Sequence, residues 1–431
     1  MTEVVRLDDR RPRRPGVLDR AARSLVEARL ARMQDGDLTL VDGTRRARYG
    51  RPGAPLRAAA TIRDPRAWRA VALGGTVGSA EAYADGWWAS DDPVAVVRVV
   101  LSAGGAGGVL ESGFARLGAA WDRAAHALRR NTRGGSRRNI RDHYDLGNDF
   151  FALFLDETLT YSCGIFEGPD SSMREASEAK LDRVCRKLEL SPRTHVLEIG
   201  TGWGSFALHA AERYGCRVTT TTISREQAQH ARERVRQAGL ESKVEVLLAD
   251  YRELKGTYDR LVSIEMIEAV GWEYYPTFFR TCASRLAPDG AALIQAITIR
   301  DQAFEAKKRE VDFIKRHIFP GSCIPSVTAL CRAATAASDM RLFHLEDIGP
   351  HYATTLRRWR ERLRSRWDEA MAGGKDERFL RLFEFYLAHC EAGFEERYLG
   401  NAQMLFVKPA ARRAPIVPPL SRADGRVPSV A

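Results

Sequence analysis

The run Val196-Leu197-Glu198-Ile199-Gly200-Thr201-Gly202-Trp203-Gly204 reads as an apolar strand that ends in an acid and breaks into a glycine loop. Glycines at 200, 202 and 204 permit positive φ and close backbone approach, and the helix expected next presents free N–H groups at its start. That arrangement suits an adenosine-bearing cofactor, and on the loop alone a dinucleotide remains one candidate. A dinucleotide site calls for an acid at the end of the second strand to hold a ribose. Here that strand ends Thr219-Thr220-Thr221-Thr222-Ile223-Ser224 and is followed by Gln227, so hydroxyls and an amide replace the carboxylate. The third strand ends in Ala249-Asp250-Tyr251, where a carboxylate and a ring suit an adenine edge and face. A helix N-cap is the lesser reading of Asp250.

Two further segments carry chemistry. His143-Tyr144-Asp145-Leu146-Gly147-Asn148-Asp149-Phe150-Phe151, followed by Tyr161-Ser162-Cys163-Gly164, is dense in polar and aromatic groups and suits a lid over a cofactor. Glu265-Met266-Ile267-Glu268-Ala269-Val270-Gly271 follows the fourth strand, and ligands of parallel sheets collect at the carboxyl ends of strands. Glu268 there suits a catalytic carboxylate. Cysteines at 163, 185, 216, 282, 323, 331 and 390 include no CxxC pair, so neither a disulfide framework nor a metal site is indicated.

The elements that must position these groups alternate helix and strand from residue 180 onward, the sign of a parallel sheet covered on both faces. Strands are expected near 194–199, 217–222, 244–249, 260–264, 291–297, 341–348 and 403–408. Seven strands fit an α/β, Rossmann-like class I methyltransferase fold. A chain of 431 residues has room for a second, smaller domain. The expected organisation is a disordered basic arm at 1–16, a small lipid-engaging N-terminal domain at 17–120, a basic linker at 121–138, the catalytic domain with lid insertions at 139–410, and a loose tail at 411–431. In the small domain, Gly75-Thr76-Val77-Gly78-Ser79-Ala80-Glu81-Ala82-Tyr83-Ala84-Asp85-Gly86-Trp87-Trp88 reads as a glycine-punctuated helix ending in paired aromatics that anchor it.

The net charge of +11 favours a polyanionic partner. No zinc-finger spacing, aromatic RNA-binding strand or basic zipper is present, so nucleic acid is not expected and an anionic membrane surface is. No apolar run reaches the ~18–20 residues that cross a bilayer, and the Arg- and Pro-rich start lacks a signal-peptide core. A cytoplasmic protein, peripheral to the inner face of the plasma membrane, is the expectation. Arg357-Arg358-Trp359-Arg360 suits either a membrane-surface helix or a solvated face with one packed ring.

With these segments together, HYDLGNDFF, YSCG, LEIGTGWG, TTISREQ, IEMIEAVG, IFPGSCIPS and HYATTLRRW resemble the cyclopropane fatty acid synthase family over roughly residues 70–408. The resemblance implies transfer of a one-carbon unit from S-adenosylmethionine to the cis double bond of a phospholipid acyl chain. It places Tyr161, Ser162, Glu198, Gly200, Gly202, Trp203, Gly204, Thr222, Gln227, Asp250 and Tyr251 around that cofactor. The carbocation formed must lose a proton, and in the family a bound bicarbonate serves as base, held by groups that resemble Cys163, Glu268, Gln295, Ile297 and Tyr352. A carboxylate beside bicarbonate requires a raised pKa or a bridging donor. Cys390 aligns with a cysteine once proposed as catalytic, and also reads as a structural thiol. This chain departs from the bacterial pattern in carrying Gln295 and Ala269 where histidines are common. The product implied is a cyclopropane acyl chain, with a 10-methylene branch, the precursor of 10-methyl chains such as tuberculostearate, as the alternative. Expected partners are the unsaturated phospholipid, a second copy of the chain in a homodimer, and a reductase if the product is 10-methylene.

Overall fold

A computed structural model describes residues 13–104 and 147–416. The expected linker, His143–Leu146 of the lid segment, and most of the arm and tail therefore lie outside the described residues.

The small unit is built from α1 (Val17–Leu30), β1 (Asp37–Asp42), β2 (Arg45–Gly50), β3 (Arg57–Ile62), α2 (Arg66–Ala84), β4 (Trp88–Ala89) and α3 (Pro93–Gly104). Its sheet runs β2-β1-β3-β4. Gly75 adopts φ 55° and kinks α2, which lays Gly78 so close on Ala70 that a Cβ there would sit 1.9 Å from the carbonyl oxygen. The glycine punctuation in the sequence is thus a packing requirement. Trp88 is buried and donates from its indole to the Ser79 carbonyl at 2.8 Å, as an anchor should.

The larger unit begins with α4 (Asn148–Phe154) and α5 (Met173–Lys187). Ser172 and Glu175 form a capping box that starts α5. The sheet strands are β5 (His195–Ile199), β6 (Arg217–Thr222), β7 (Val244–Leu248), β8 (Tyr258–Ile264), β9 (Leu286–Ile299), β10 (Arg341–Asp347) and β11 (Leu399–Val407). Between them run α6 (Ser205–Arg213), α7 (Arg225–Gln237), α8 (Tyr275–Arg285), α9 (Asp301–Lys307), α10 (Phe313–His317), α11 (Val327–Ala337), α12 (Gly349–Ser365), α13 (Trp367–Ala372) and α14 (Glu377–Glu395). The strand order is β10-β11-β9-β8-β5-β6-β7, parallel throughout except β11, which is antiparallel to both neighbours. All seven expected strands are present. β9 and β11 start earlier than expected, because Leu286 already pairs with Tyr258 through a register shift and Leu399 pairs with Ile299.

Helices α4, α12 and α14 cover the carboxyl ends of the strands with an aromatic layer in which Phe151, Phe154, Trp359 and Phe383 are fully buried. The small unit joins this layer. Tyr83 donates to Glu384 at 2.9 Å, Arg98 pairs with Glu396 at 2.7 Å, and Trp88 meets Phe385 edge-on at 5.8 Å. Trp359 is core, and Arg357 and Arg360 of the same helix bind Glu391 at 3.1 and 3.0 Å. Those cations hold α12 to α14, which removes the membrane-surface reading of that helix.

Candidate active site

The cofactor loop follows from β5, whose four residues from Val196 are buried as an inner parallel strand requires. Gly200, Gly202 and Gly204 have φ of 108°, 52° and 88°, and the N–H groups of Gly200 and Thr201 donate to the Thr221 carbonyl at 3.0 and 3.1 Å. A Cβ on Gly202 would meet nothing within 4 Å, so the loop encloses free space on that side. Trp203 turns inward. Its indole donates to Asn148 at 2.8 Å and packs on Phe151, so its contribution is to lock the loop to α4. Glu198 accepts from Thr220 at 2.6 Å and is pushed up to about 8 by burial, against the pull of that hydrogen bond and of Lys180.

The other expected cofactor residues ring the same strand ends. Thr222 donates to Gln227 at 2.8 Å at the β6 end. Asp250 caps the turn Tyr251–Glu253 and takes two side-chain hydrogen bonds from Arg252, at 2.8 and 2.6 Å, so the capping reading holds for its carboxylate. The Tyr251 ring stands edge-on to Phe278, and its buried hydroxyl finds no partner among the described residues. An open glycine cradle, a hydroxyl–amide pair and an orphaned phenol fit an adenosine-bearing group. Tyr161 faces Trp359 at 5.2 Å and its hydroxyl meets that of Tyr386 at 3.2 Å. The Ser162 hydroxyl accepts from the buried Lys180 ammonium at 2.8 Å.

A second cluster lies where β8 and β9 end and β11 begins, and its centre is Glu265. Oε1 accepts from the Cys163 backbone N–H at 3.1 Å, from Gln295 Nε2 at 2.8 Å and from Asn401 Nδ2 at 2.6 Å; Oε2 accepts from the Tyr352 hydroxyl at 2.7 Å. The sequence reading chose Glu268 and passed over both Glu265 and Asn401. The available signal was the pair of acids three apart just past a strand end. Asn401 is invisible locally, because only the β9–β11 register sets it opposite Ile297.

Glu268 is nearby and differently placed. Oε1 accepts from the Ile297 backbone N–H, while Oε2 is buried without a partner among the described residues. Burial, and then the charge of Glu265, push Glu268 up to about 8, which favours its neutral form at pH 7. Burial raises the Tyr352 hydroxyl and the Cys163 thiol, with Glu265 adding to both. Of the groups expected to hold bicarbonate, the Cys163 N–H, Gln295 and Tyr352 donate to Glu265 and the Ile297 N–H donates to Glu268. Cys390 stands apart on α14 with no hydrogen bond to either acid, and burial raises its thiol far above the range of a reactive thiolate. It reads as structural.

The orientation of Gln295 is itself determined. Lys187 Nζ donates to Gln403 Oε1 at 2.8 Å, Gln403 Nε2 donates to Gln295 Oε1 at 3.0 Å, and Gln295 Nε2 donates to Glu265. An ammonium cannot accept, so both amides must point their nitrogens toward Glu265.

Comparisons with known proteins identify the family. The family described as mycolic acid cyclopropane synthetase matches residues 131–404. The chain is 38% identical to tuberculostearic acid methyltransferase UfaA1 of Mycobacterium tuberculosis, over 79% of this chain and 81% of that one. It is 36% identical to the cyclopropane-fatty-acyl-phospholipid synthase of Escherichia coli, over 80% of this chain and 86% of that one. Among solved structures, the mycolic acid cyclopropane synthase CmaA1 complexed with SAH and CTAB superposes with a TM-score of 0.59 at 33% identity, covering 63% of this chain and 98% of that one. A glycine cradle at the first strand, a cluster of acids and donors at the fourth and fifth, and likeness across most of the chain converge: this protein belongs to the mycolic acid cyclopropane synthetase family of S-adenosylmethionine-dependent methyltransferases.

Proposed function

We propose that the protein transfers the methyl of S-adenosylmethionine to the cis double bond of an unsaturated acyl chain carried by a phospholipid. The observation that carries this reading is the juxtaposition of the cofactor loop, whose Gly200 lies against Met266, with a hydrogen-bonded acid cluster roofed by aromatic side chains. An isolated alkene is a weak nucleophile, so the site must align it with the sulfonium methyl and exclude water from the cation that follows. Gly200, Gly202, Gly204, Thr222, Gln227 and Tyr251 would hold the cofactor, whose sulfonium supplies an electrophilic methyl. Phe151, Phe154, Tyr161 and Trp359 supply a dry wall.

Closure of a cyclopropane ring is the first product reading. A 10-methylene branch is the second, and the likeness to tuberculostearic acid methyltransferase favours it. The same cation leads to both. The Cys163 and Ile297 N–H groups, Gln295 and Tyr352 all donate to Glu265 or Glu268, which argues against a bicarbonate base held by those four groups. Mass spectrometry and NMR of lipids from oleate-fed cells expressing the protein test the reading. High-field cyclopropane protons or vinylidene protons support it and separate the products; unaltered oleoyl lipid overturns it.

The membrane surface is part of the same proposal. No helix among the described residues is long and apolar enough to cross a membrane. Val17 and Leu18 at the start of α1 are 72% and 68% exposed, beside Arg13, Arg14 and Arg20, a combination suited to an anionic lipid surface.

A further inference from the structure

The backbone of Glu265 is unusual. It adopts φ 49°, a left-handed conformation that non-glycine residues rarely take, immediately after β8. Its N–H donates to the Gln295 carbonyl at 2.8 Å, so the strained turn is tied to β9. Such strain persists where the surroundings over-determine it, and here they deliver four donors to one side chain. The residue is half-buried at the strand ends, where Glu268 also lies.

We infer that the Glu265 carboxylate is the base that removes the proton from the alkyl cation, occupying the position that the family resemblance gives to bicarbonate. The inference rests on the proposed alkene alkylation. In that reaction the alkene π pair forms a bond to the sulfonium methyl, and the S–C pair stays on sulfur as neutral S-adenosylhomocysteine. The positive charge is left on the second alkene carbon. Glu265 Oε2 then takes a proton from the added methyl. The released C–H pair closes the three-membered ring, or, after a 1,2-hydride shift, forms the exocyclic double bond. Glu265 ends as a neutral acid and returns its proton to water.

The two oxygens divide this work. Oε1 has three donors and is held in place. Oε2 has one, Tyr352, and keeps lone-pair capacity for a proton. Lys187 acts at a distance as a positioning residue, because its ammonium orients Gln403 and Gln295 so that an amide N–H, never a carbonyl, meets Glu265. A free bicarbonate would have to displace this side chain or stand as a further anion beside it, and like charges in one buried site repel.

The test uses the full-length enzyme with S-adenosylmethionine and dioleoyl phospholipid vesicles, following both S-adenosylhomocysteine and lipid product. Wild-type turnover is expected to be the same in carbonate-free buffer and with added bicarbonate; a rate lost in carbonate-free buffer and restored by bicarbonate overturns the inference. Glu265→Gly should lower turnover at least a hundredfold with cofactor affinity within about threefold of wild type, and bicarbonate or formate should restore part of the rate. Glu265→Gln, whose amide fills the space, should be equally slow and gain nothing from either anion. Full turnover by either variant without added anion overturns the inference. Absence of any alkylated lipid from the wild type would instead overturn the proposed function, so the two failures are distinguishable. Lys187→Met should lower kcat with little change in KM, since it disturbs the base's orientation and not the lipid.

Discussion

Two glutamates three residues apart sit in different environments, and the hydrogen bonds of each define the difference. Among the described residues Glu265 accepts from four donors, whereas Glu268 accepts from the Ile297 N–H, leaves Oε2 without a partner and has Glu265 as a charged neighbour. Pairs of acids separated in this way divide roles in many active sites. The raised value of about 8 for Glu268 sets a pH dependence. Below it the acid is neutral; as pH rises through it, a second negative charge enters the site beside Glu265. Turnover is therefore expected to fall as pH rises through about 8, and Glu268→Gln should remove that fall, as kcat measured against pH will show. Sequence inspection located the motif and selected one acid of the two, because spacing shows that both stand near a strand end but not which one the donors reach.

At the scale of elements, the glycine loop and the β9–β11 pair do separable work. Gly202 has φ 52° and open space before it, so Gly202→Ala strains the backbone by ~1–2 kcal/mol and also places a methyl in the cradle. Cofactor affinity measured by calorimetry should weaken by roughly tenfold, about 1.4 kcal/mol, with the fold retained. The helical cover behaves differently. Phe154 is fully buried among Phe150, Phe151, Tyr161, Trp359 and Phe383, so Phe154→Ala should cost about 3–5 kcal/mol in thermal or denaturant unfolding. The loop was legible in the sequence because its signal is local: an apolar strand, glycines and a helix start within a few residues. The pairing of Gln295 with Gln403 and of Ile297 with Asn401 was not, because antiparallel register between segments a hundred residues apart leaves no local trace.

Across the whole molecule, the small unit and the catalytic unit share one aromatic core through α14, with Tyr83, Arg98 and Trp88 on one side and Glu384, Glu396 and Phe385 on the other. The exposed start of α1 then projects from a body fixed relative to the active site. Replacing Val17 and Leu18 together with serine should reduce flotation with anionic phospholipid vesicles several-fold, since each buried aliphatic side chain contributes about 1.5–3 kcal/mol when fully withdrawn from water. Binding of S-adenosylmethionine should be unaffected. By itself the sequence determined the seven strands, the cofactor loop and the hydroxyl-lined second strand, because hydrophobic period and glycine chemistry act over a few residues. It also placed Cys163, Gln295 and Tyr352 in a common site through family resemblance. Only the tertiary structure decided what those groups hold. Residues 163, 265, 295, 352 and 401 meet because a parallel sheet brings distant strand ends together and α12 closes over them, and the acceptor at their meeting point is a carboxylate of the chain itself.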